Sequence, residues 1–369
     1  MSIVIISERP TYATGFGTVM GNLMRFGQWK TPPNIISSIS SNWRELPVDM
    51  GLYTQYSVAY PAGYKYYLYH LAPKVLVIMG SYPHLKLALE INKESKIPVI
   101  GYITTENRPV SKDMAQKLSD CSLVLTPSQF SKDMMLEAGV TSRIEVLRHG
   151  VDLEVYNCSP TTKVHDFLYY GDNNIRKQIP RLLQAFSNVI KKKDDATLML
   201  STDVEGRSGR LGEKLVELSN EVFKLDEGKI RVHYDPRLGN VPQLPNETVE
   251  MINKSKILVM PSAGESFSLP VLEAAACGVP SVVTDYTGIK EYLGDAILYA
   301  DVSEEVWIQW GFLKLVNIKD LSDKMYNLLT DETLYKKQVE KCLLRASELT
   351  WDEPALQFRN YCEEIASGK

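Results

Sequence analysis

Two glutamates and one basic pair are the residues best placed to do chemistry. Glu265 and Glu273 stand eight positions apart in GESFSLPVLEAAACGVP (264–280). The first lies in a short polar turn and the second on a helix made largely of Val, Leu and Ala. A carboxylate can accept from two neighbouring hydroxyls at once, so glutamates in this setting suit a polyhydroxy ligand. A buried capping glutamate followed by a surface glutamate is the plainer alternative. Arg176 and Lys177 stand in GDNNIRKQIPRLLQAF (171–186), just before a second helix. Two cations there oppose the helix dipole at about a few tenths of a kcal/mol each. A bound diphosphate would reverse that sign, because charge-assisted hydrogen bonds contribute about 1.5–3 kcal/mol apiece. A solvated basic turn is the alternative.

Pro270 fits the first turn of the helix after Glu265, and Gly278 and Pro280 end it. The N–H groups of Phe267, Ser268 and Leu269 then fall between the two carboxylates. The expected buried stripe is Val271, Leu272, Ala275 and Ala276, with Glu273 pointing away from its centre. That arrangement fits a nucleotide sugar lying across the helix end.

A third stretch, SERPTYATGFGTVMGNL (7–23), places Gly15 and Gly17 around Phe16 just before a helix. Glycines there let backbone N–H groups approach an anionic or polyhydroxy ligand. The spacing 15, 17, 21 is not G-x-G-x-x-G, and no acidic residue stands near 35–40 to take a ribose. A dinucleotide site is therefore not expected, and a tight strand-to-helix turn is the plain alternative.

The elements that must carry these loops alternate short β-branched runs with longer helical patterns, as βαβ units do. Strands are expected at Ile3–Ser7, Ile35–Ile39, Val75–Met79, Val99–Ile103, Leu123–Leu125 and Ile144–Leu147. In the second half they are expected at Asp166–Tyr170, Thr197–Ser201, Ile230–His233, Ile257–Met260 and Ser281–Thr284. Helices are expected at Leu85–Lys93, Ser128–Ala138, Ile179–Lys191 and Glu213–Phe223. The chain is expected to be helical from about Ser303 onward, ending in an amphipathic helix over Trp351–Ile365. The fold class is α/β, with two doubly wound domains. The first spans 1–155 and the second 156–350, with the break in His149–Lys163. Ligands of such folds sit beyond the carboxyl ends of the strands, so the loops after strands are where chemistry is expected.

Composition sets the outer limits. Of 369 residues, 44% are hydrophobic and 23% charged, and the net charge of −4 argues against bulk nucleic-acid binding. Five scattered cysteines form no CxxC, so neither a disulfide framework nor a zinc site is expected, and they read as reduced and intracellular. MSIVIISERP reads as a strand and not as a signal peptide, and no apolar run reaches membrane-spanning length. No D-x-D occurs, so no metal clamp is expected.

PSAGESFSLPVLEAAACGVPSVVTDYTGIKEYL (261–293) resembles the E-x7-E segment of the family-4 retaining glycosyltransferases, which have the GT-B fold. LTPSQFSKDMMLEAGVTSRIEVLRHGVDLEVY is similar to the segment leading into that family's interdomain linker. YYGDNNIRKQIPRLLQAF is similar to its Arg/Lys phosphate-binding segment, and TGFG to its N-terminal glycine loop. The resemblance implies two Rossmann-like domains facing across a cleft, with the C-terminal helix (351–369) returning to the first. It implies that Glu265 contacts the transferred sugar and that Glu273 holds the ribose. Ser266 and the amides of Phe267, Ser268 and Leu269 would contact sugar and phosphate oxygens, and Arg176 and Lys177 would neutralise the departing diphosphate. Gly15, Phe16 and Gly17 would lie against the donor from the other domain. The donor would be a UDP- or GDP-hexose, with no metal and no further cofactor.

This chain also departs from the family. Ser266 and Ser268 stand where glycines are common. The histidine usual in an N-domain loop is absent from GYITTENRPVS (101–111), which leaves Thr105, Glu106 and, from another loop, His84 as acceptor-side candidates. The other histidines read as structural. The tyrosine-rich stretch Tyr60–Leu71 and VWIQWGFLKLV (306–316) could sit at a membrane interface or simply pack. The expected protein is a hexosyltransferase, cytoplasmic or peripheral on the membrane, acting on a carbohydrate, lipid-linked or protein acceptor. A non-catalytic nucleotide-sugar-binding protein and a GT-B sugar-nucleotide epimerase are the rival readings.

Overall fold

A computed structural model describes residues 2–368 except 13, 39–46, 59–60, 107, 203–220, 222–229, 235–244 and 309–310; for 61–62, 230–234 and 245 it describes the backbone. The chain divides into two compact units, Met1–Gly150 with Trp351–Lys369, and Val151–Thr350.

The first unit is built on an eight-stranded sheet. Its strands are β1 (Ile3–Ile6), β2 (Asn34–Ser38), β3 (Val48–Asp49), β4 (Thr54–Val58), β5 (Val75–Gly80), β6 (Val99–Ile103), β7 (Leu123–Thr126) and β8 (Ile144–Val146). They lie in the order β3-β4-β2-β1-β5-β6-β7-β8. Among the described residues of this sheet, only the β3–β4 pair is antiparallel. β1, β5, β6 and β7 are buried along their whole length, which is why they read as unbroken apolar runs and not as alternations. The intervening helices are α1 (Gly15–Phe26), α2 (Pro61–Leu71), α3 (Tyr82–Asn92), α4 (Lys112–Ser119) and α5 (Gln129–Glu137). The last helix of the chain, Asp352–Ala366, also belongs to this unit and packs on α1 and β5. Phe358 on that helix is fully buried, its ring 6.0 Å from Trp29 and 6.3 Å from Tyr102. His149 lies against Trp351, ring centroids 5.6 Å apart, and burial pushes its pKa down to about 3. It is a core histidine.

The second unit has a six-stranded parallel sheet. Its strands are β9 (His165–Tyr170), β10 (Leu198–Thr202), β11 (Ile230–Tyr234), β12 (Ser255–Met260), β13 (Ser281–Thr284) and β14 (Leu298–Ala300), in the order β11-β10-β9-β12-β13-β14. Around it pack α6 (Ile179–Ile190), α7 (Pro245–Asn253), α8 (Leu269–Ala276), α9 (Ile289–Leu293), α10 (Ile318–Thr330) and α11 (Glu332–Ser347); the Asp352–Ala366 helix is then α12. Every residue of α8 from Val271 to Ala276 is buried, so the expected apolar stripe is in fact a helix covered on all sides. It packs between the sheet and α11.

Most expected strands appear within one or two residues of their places. The expected helix over Glu213–Phe223 lies, except for Glu221, outside the described residues. The helical reading after Ser303 is wrong over its first part. There the chain forms an antiparallel hairpin, β15 (Val302–Ile308) and β16 (Gly311–Val316), before α10 begins. Its register sets Trp307 opposite Phe312 and Val306 opposite Leu313, and such cross-strand pairs stabilise the hairpin. Tyr60–Leu71 proves to be helical over Pro61–Leu71, with Tyr64 buried and Tyr66 and Tyr69 exposed. Trp307 is exposed, and Trp310 lies outside the described residues.

Candidate functional site

Strand order decides where the candidate residues meet. In the second sheet the chain direction of growth reverses between β9 and β12, which are neighbours. Loops leaving two such strands diverge and open a crevice at their carboxyl ends, the usual ligand position of an open α/β sheet. β9 leads into the Arg176–Lys177 turn and β12 into the Glu265 loop. The two segments, 88 residues apart in sequence, are therefore brought together at the switch point.

Arg176 and Lys177 end a short 3₁₀ turn (Ile175–Lys177), and Gln178, in the left-handed region at φ 52°, separates it from α6. Lys177 is buried and donates to Glu265 Oε1. Arg176 Nη1 lies 2.8 Å from the same oxygen and donates to the Gly264 carbonyl at 2.5 Å. Ser262 Oγ adds a third bond to Oε1 at 2.6 Å. The backbones are joined as well, Ala263 N–H donating to Arg176 O at 2.7 Å. Burial would push the Glu265 carboxyl up, but Arg176, Lys177 and the hydrogen bonds from Lys177 and Ser262 outweigh it and hold the pKa well below the ordinary 4.5. The sequence reading gave Glu265 and the basic pair separate partners; the structure pairs them with one another. Two cations thus meet on one carboxylate oxygen at the switch point, in a setting with little water to screen them.

Thr287, after β13, secures the Glu265 backbone: Glu265 N–H donates to Thr287 Oγ1 at 2.9 Å, and Thr287 Oγ1 donates to Glu265 O at 2.5 Å. Beyond it, Ser268 precedes α8 with φ 75°, a conformation that costs a non-glycine residue about 1–2 kcal/mol. Its hydroxyl is buried and has no hydrogen-bond partner among the described residues. The turn is held by Tyr292, whose ring stacks on Phe267 at 3.9 Å and 6° and whose hydroxyl donates to the carbonyls of Phe267 and Ser268. Ser266 and Phe267 are buried and Leu269 is half-buried. The N–H of Leu269 opens the helix outside its hydrogen-bond ladder.

Glu273 is the fifth residue of α8 and is buried, which excludes the surface alternative. Tyr170 Oη donates to its Oε2 at 2.7 Å, and Tyr156 also bonds to it. Burial raises its pKa, with the two tyrosines acting in the opposite sense. Glu265 and Glu273 thus occupy contrasting environments: one balanced by two cations, the other by hydroxyls alone. Tyr156, Tyr170, Ser262, Thr287 and Tyr292 were not singled out from the sequence. Tyr170, as the last residue of a strand preceding Gly171 and the basic turn, is the one whose position could have drawn attention.

In the first unit, growth of the sheet reverses between β1 and β5. Gly15, Phe16 and Gly17 start α1 just after β1, His84 sits in the first turn of α3 after β5, and Thr105 and Glu106 follow β6, the next strand. All lie at the carboxyl edge of one sheet. Thr14 caps α1, accepting from Gly17 N–H at 3.1 Å. A Cβ on Gly17 would meet Tyr12 O at 2.4 Å, whereas one on Gly15 would meet nothing within 4 Å. His84 is exposed and bonds Ser81 at 2.9 Å; Thr105 is buried and Glu106 half-buried. No helix among the described residues is long and apolar enough to cross a membrane.

Comparison with known proteins adds to this geometry. Residues 164–331 match the family model described as "Glycosyl transferases group 1". The chain is 25% identical over 266 residues to the O-antigen chain mannosyltransferase B of Escherichia coli, covering 69% of this chain and 63% of that protein. It is 38% identical over 89 residues to the N,N'-diacetylbacillosaminyl-diphospho-undecaprenol alpha-1,3-N-acetylgalactosaminyltransferase of Campylobacter jejuni, covering 24% and 21%. The chain therefore spans less than two thirds of the length of these curated relatives. Among solved structures, sucrose-phosphate synthase from Thermosynechococcus elongatus superposes with a TM-score of 0.81 at 13% identity, over 100% of both chains. Anabaena HepE, solved in complex with UDP-glucose, gives 0.73 at 12% identity over 99% of this chain and all of its own. At such identities the likeness shows the fold, and that fold is GT-B. The chain thus has the GT-B fold, and residues 164–331 of its second unit are similar to the group 1 glycosyltransferases.

Proposed function

We propose that the protein is a retaining glycosyltransferase that moves a hexose from UDP- or GDP-hexose to a carbohydrate, lipid-linked or protein acceptor, with no metal ion and no cofactor. The observation that carries this reading is the pairing of Arg176 and Lys177 with the buried Glu265 carboxylate at the switch point, beside the start of α8. Bond cleavage in a nucleotide sugar places negative charge on the leaving diphosphate. Two preorganised cations stabilise that charge more than they stabilise the bound donor, which is the condition for catalysis. The same two cations do what a divalent ion would otherwise do.

Glu265 has a double part. It holds the Arg176 and Lys177 heads in place, and it faces the transferred sugar as an acceptor of hydroxyl hydrogen bonds. In front-face displacement the leaving phosphate takes the proton of the acceptor hydroxyl, so Glu265 need not act as a base. Its depressed pKa fits a group that stays ionised. Glu273, backed by Tyr170 and Tyr156, takes the ribose diol. Ser266 and the backbone of Phe267–Leu269 meet sugar and phosphate oxygens. Gly15–Gly17 approach the donor from the first unit, while Glu106, Thr105 and His84 serve the acceptor side. Residues 235–242, where the nucleotide base would be received, lie outside the described residues.

The relatives support the substrate class. One is named a mannosyltransferase of an O-antigen chain, and another acts, by its name, on a diphospho-undecaprenol-linked sugar. HepE was solved with UDP-glucose. By that analogy the protein is cytoplasmic and meets the membrane peripherally, where a lipid-linked acceptor would be presented.

The test is a thermal-shift screen of the purified protein against UDP, GDP, ADP and their hexose conjugates, followed by incubation of the stabilising conjugate with and without sugar acceptors. Ligand at 100 times its dissociation constant adds about 2.7 kcal/mol of stability. Stabilisation by one nucleotide, with anomer-retaining transfer, is the expected result. Binding without transfer or hydrolysis would favour the non-catalytic reading, and interconversion of the donor without acceptor would favour an epimerase.

A further inference from the structure

Gln178 was not among the residues expected to matter, yet its side chain bridges the loop after β12 and the strand β16. It is 4% exposed and stands in the left-handed region, at φ 52° and ψ 34°, where a glutamine is strained. Its side chain is fully engaged. Nε2 donates to Pro261 O at 2.8 Å and to Lys314 O at 3.2 Å, and Oε1 accepts from Val316 N–H at 3.0 Å. Two carbonyls on one side and an N–H on the other leave only one orientation for the amide.

These bonds join three segments that no local sequence connects. Gln178 itself closes the turn bearing Arg176 and Lys177, its N–H donating to Ile175 O at 3.3 Å, and its carbonyl starts α6 by accepting from Arg181 N–H at 2.9 Å. Pro261 begins the loop that carries Glu265. Lys314 and Val316 belong to β16, the inner strand of the hairpin. β16 also touches the Glu265 loop directly, Lys314 N–H donating to Ala263 O at 3.3 Å. Arg181 fastens the other side, donating to Val316 O at 2.9 Å and to Glu304 at 2.8 Å on β15.

We propose that Gln178 is a positioning residue, which together with the β15–β16 hairpin fixes the Lys177 ammonium against Glu265 and so sets how well the site stabilises a leaving diphosphate. The proposal rests on the transferase reading. A left-handed residue just after Lys177 directs the chain away from the site and aims the preceding side chain into it. Glycine would adopt that conformation without strain but could not bridge Pro261 to β16. The strain at Gln178 is thus retained along with a clamp that only a long amide can form here.

The experiment uses the full chain with Gln178→Gly, Gln178→Met, Lys177→Ala and the double variant Gln178→Gly/Lys177→Ala. Glycine removes strain and clamp together, and methionine keeps the side-chain length while removing all three bonds. With the nucleotide sugar that the wild type turns over, both single variants at 178 should lower kcat about tenfold or more while melting within a few degrees of wild type. On the Lys177→Ala background, Gln178→Gly should change kcat less than about twofold, because a residue that acts through another adds nothing once that other is gone. Inorganic pyrophosphate, titrated calorimetrically, supplies an arm that needs no turnover: its affinity should fall about threefold or more in either single variant. Unchanged kcat in folded variants, or losses that multiply in the double variant, would overturn the proposal. If the wild type turns over no nucleotide sugar, the transferase reading fails, and unchanged pyrophosphate affinity in the folded 178 variants would then sink the role of Gln178 as well.

Discussion

The Lys177 ammonium and the Glu265 carboxylate form a buried ion pair between loops that leave neighbouring parallel strands. Removing Lys177 leaves Glu265 with Arg176 and Ser262. The carboxylate stays compensated, but the site loses one of the two cations available to a diphosphate. Lys177→Ala is expected to lower turnover by about 10²–10³, the scale for deleting one preorganised donor, with a loss of stability of about 1–3 kcal/mol. Wild-type turnover in the purified variant would remove Lys177 from the mechanism.

The two glutamates respond to pH with opposite signs. The folded pKa of Glu265 lies below its ordinary 4.5, so its contribution to stability is complete above that value and is lost as pH falls through the folded pKa. The folded pKa of Glu273 lies above 4.5, so the stability tied to it is complete below 4.5 and is lost as pH rises through the folded pKa. Glu265→Gln should therefore flatten the acid limb of the stability–pH profile and cost about 3 kcal/mol near neutrality, where it leaves buried cations under-compensated. Denaturant titrations between pH 3 and 8 read both effects, and an acid limb as steep as wild type in Glu265→Gln would show that other groups set it.

Glu273→Gln should behave differently. Near pH 7 it replaces a buried charge by a neutral acceptor, so stability is expected to hold or rise. Nucleotide affinity should nevertheless fall about 10–100-fold, the loss expected from hydrogen bonds to a charged partner. Calorimetric titration of the nucleotide found in the screen, paired with a melting curve, separates the two readings. Equal affinity in variant and wild type would confine Glu273 to packing.

Ser268 carries strain that glycine would relieve. Ser268→Gly should stabilise the protein by about 1 kcal/mol, or about 2–4 °C in melting temperature for a unit of this size. The buried hydroxyl loses nothing by removal, since it has no partner among the described residues. A lower melting temperature would mean that the hydroxyl supports the turn.

Gly15 and Gly17 make a paired test of the first unit. Gly17→Ala puts a methyl 2.4 Å from Tyr12 O and 2.8 Å from Arg9 O, so the turn before α1 must open, costing about 1–3 kcal/mol. Gly15→Ala meets no atom within 4 Å and should leave stability unchanged. If a ligand approaches the backbone there, Gly15→Ala should still raise KM for the donor severalfold. An unchanged KM would make this loop a turn and nothing more.

Much of this was legible in the chain itself. Apolar β-branched runs fix where buried parallel strands can form, and Pro270, Gly278 and Pro280 bound α8 by their backbone chemistry alone. Side-chain type likewise singles out Glu265, Glu273, Arg176 and Lys177, because carboxylates and cations in those turns are costly without partners. Where local patterns carry two meanings, the sequence misleads. The stretch after Ser303 reads as helical, yet pairing of Val302–Ile308 with Gly311–Val316 makes it a strand. Glu273 on an alanine-rich helix reads equally as exposed or buried until α11 covers that helix.

What only the tertiary structure decided is which of these groups meet. Strand order is a property of the whole sheet, and it places β9 beside β12 although β10 and β11 intervene in the chain. That adjacency pairs Lys177 with Glu265, brings Tyr170 to Glu273, and lets Gln178 reach both Pro261 and β16. Hydrogen bonds act over about 3 Å, so they depend on a packing that no window of sequence contains. Residue types supplied the charges and hydroxyls of the site; the order of the strands determined their partners.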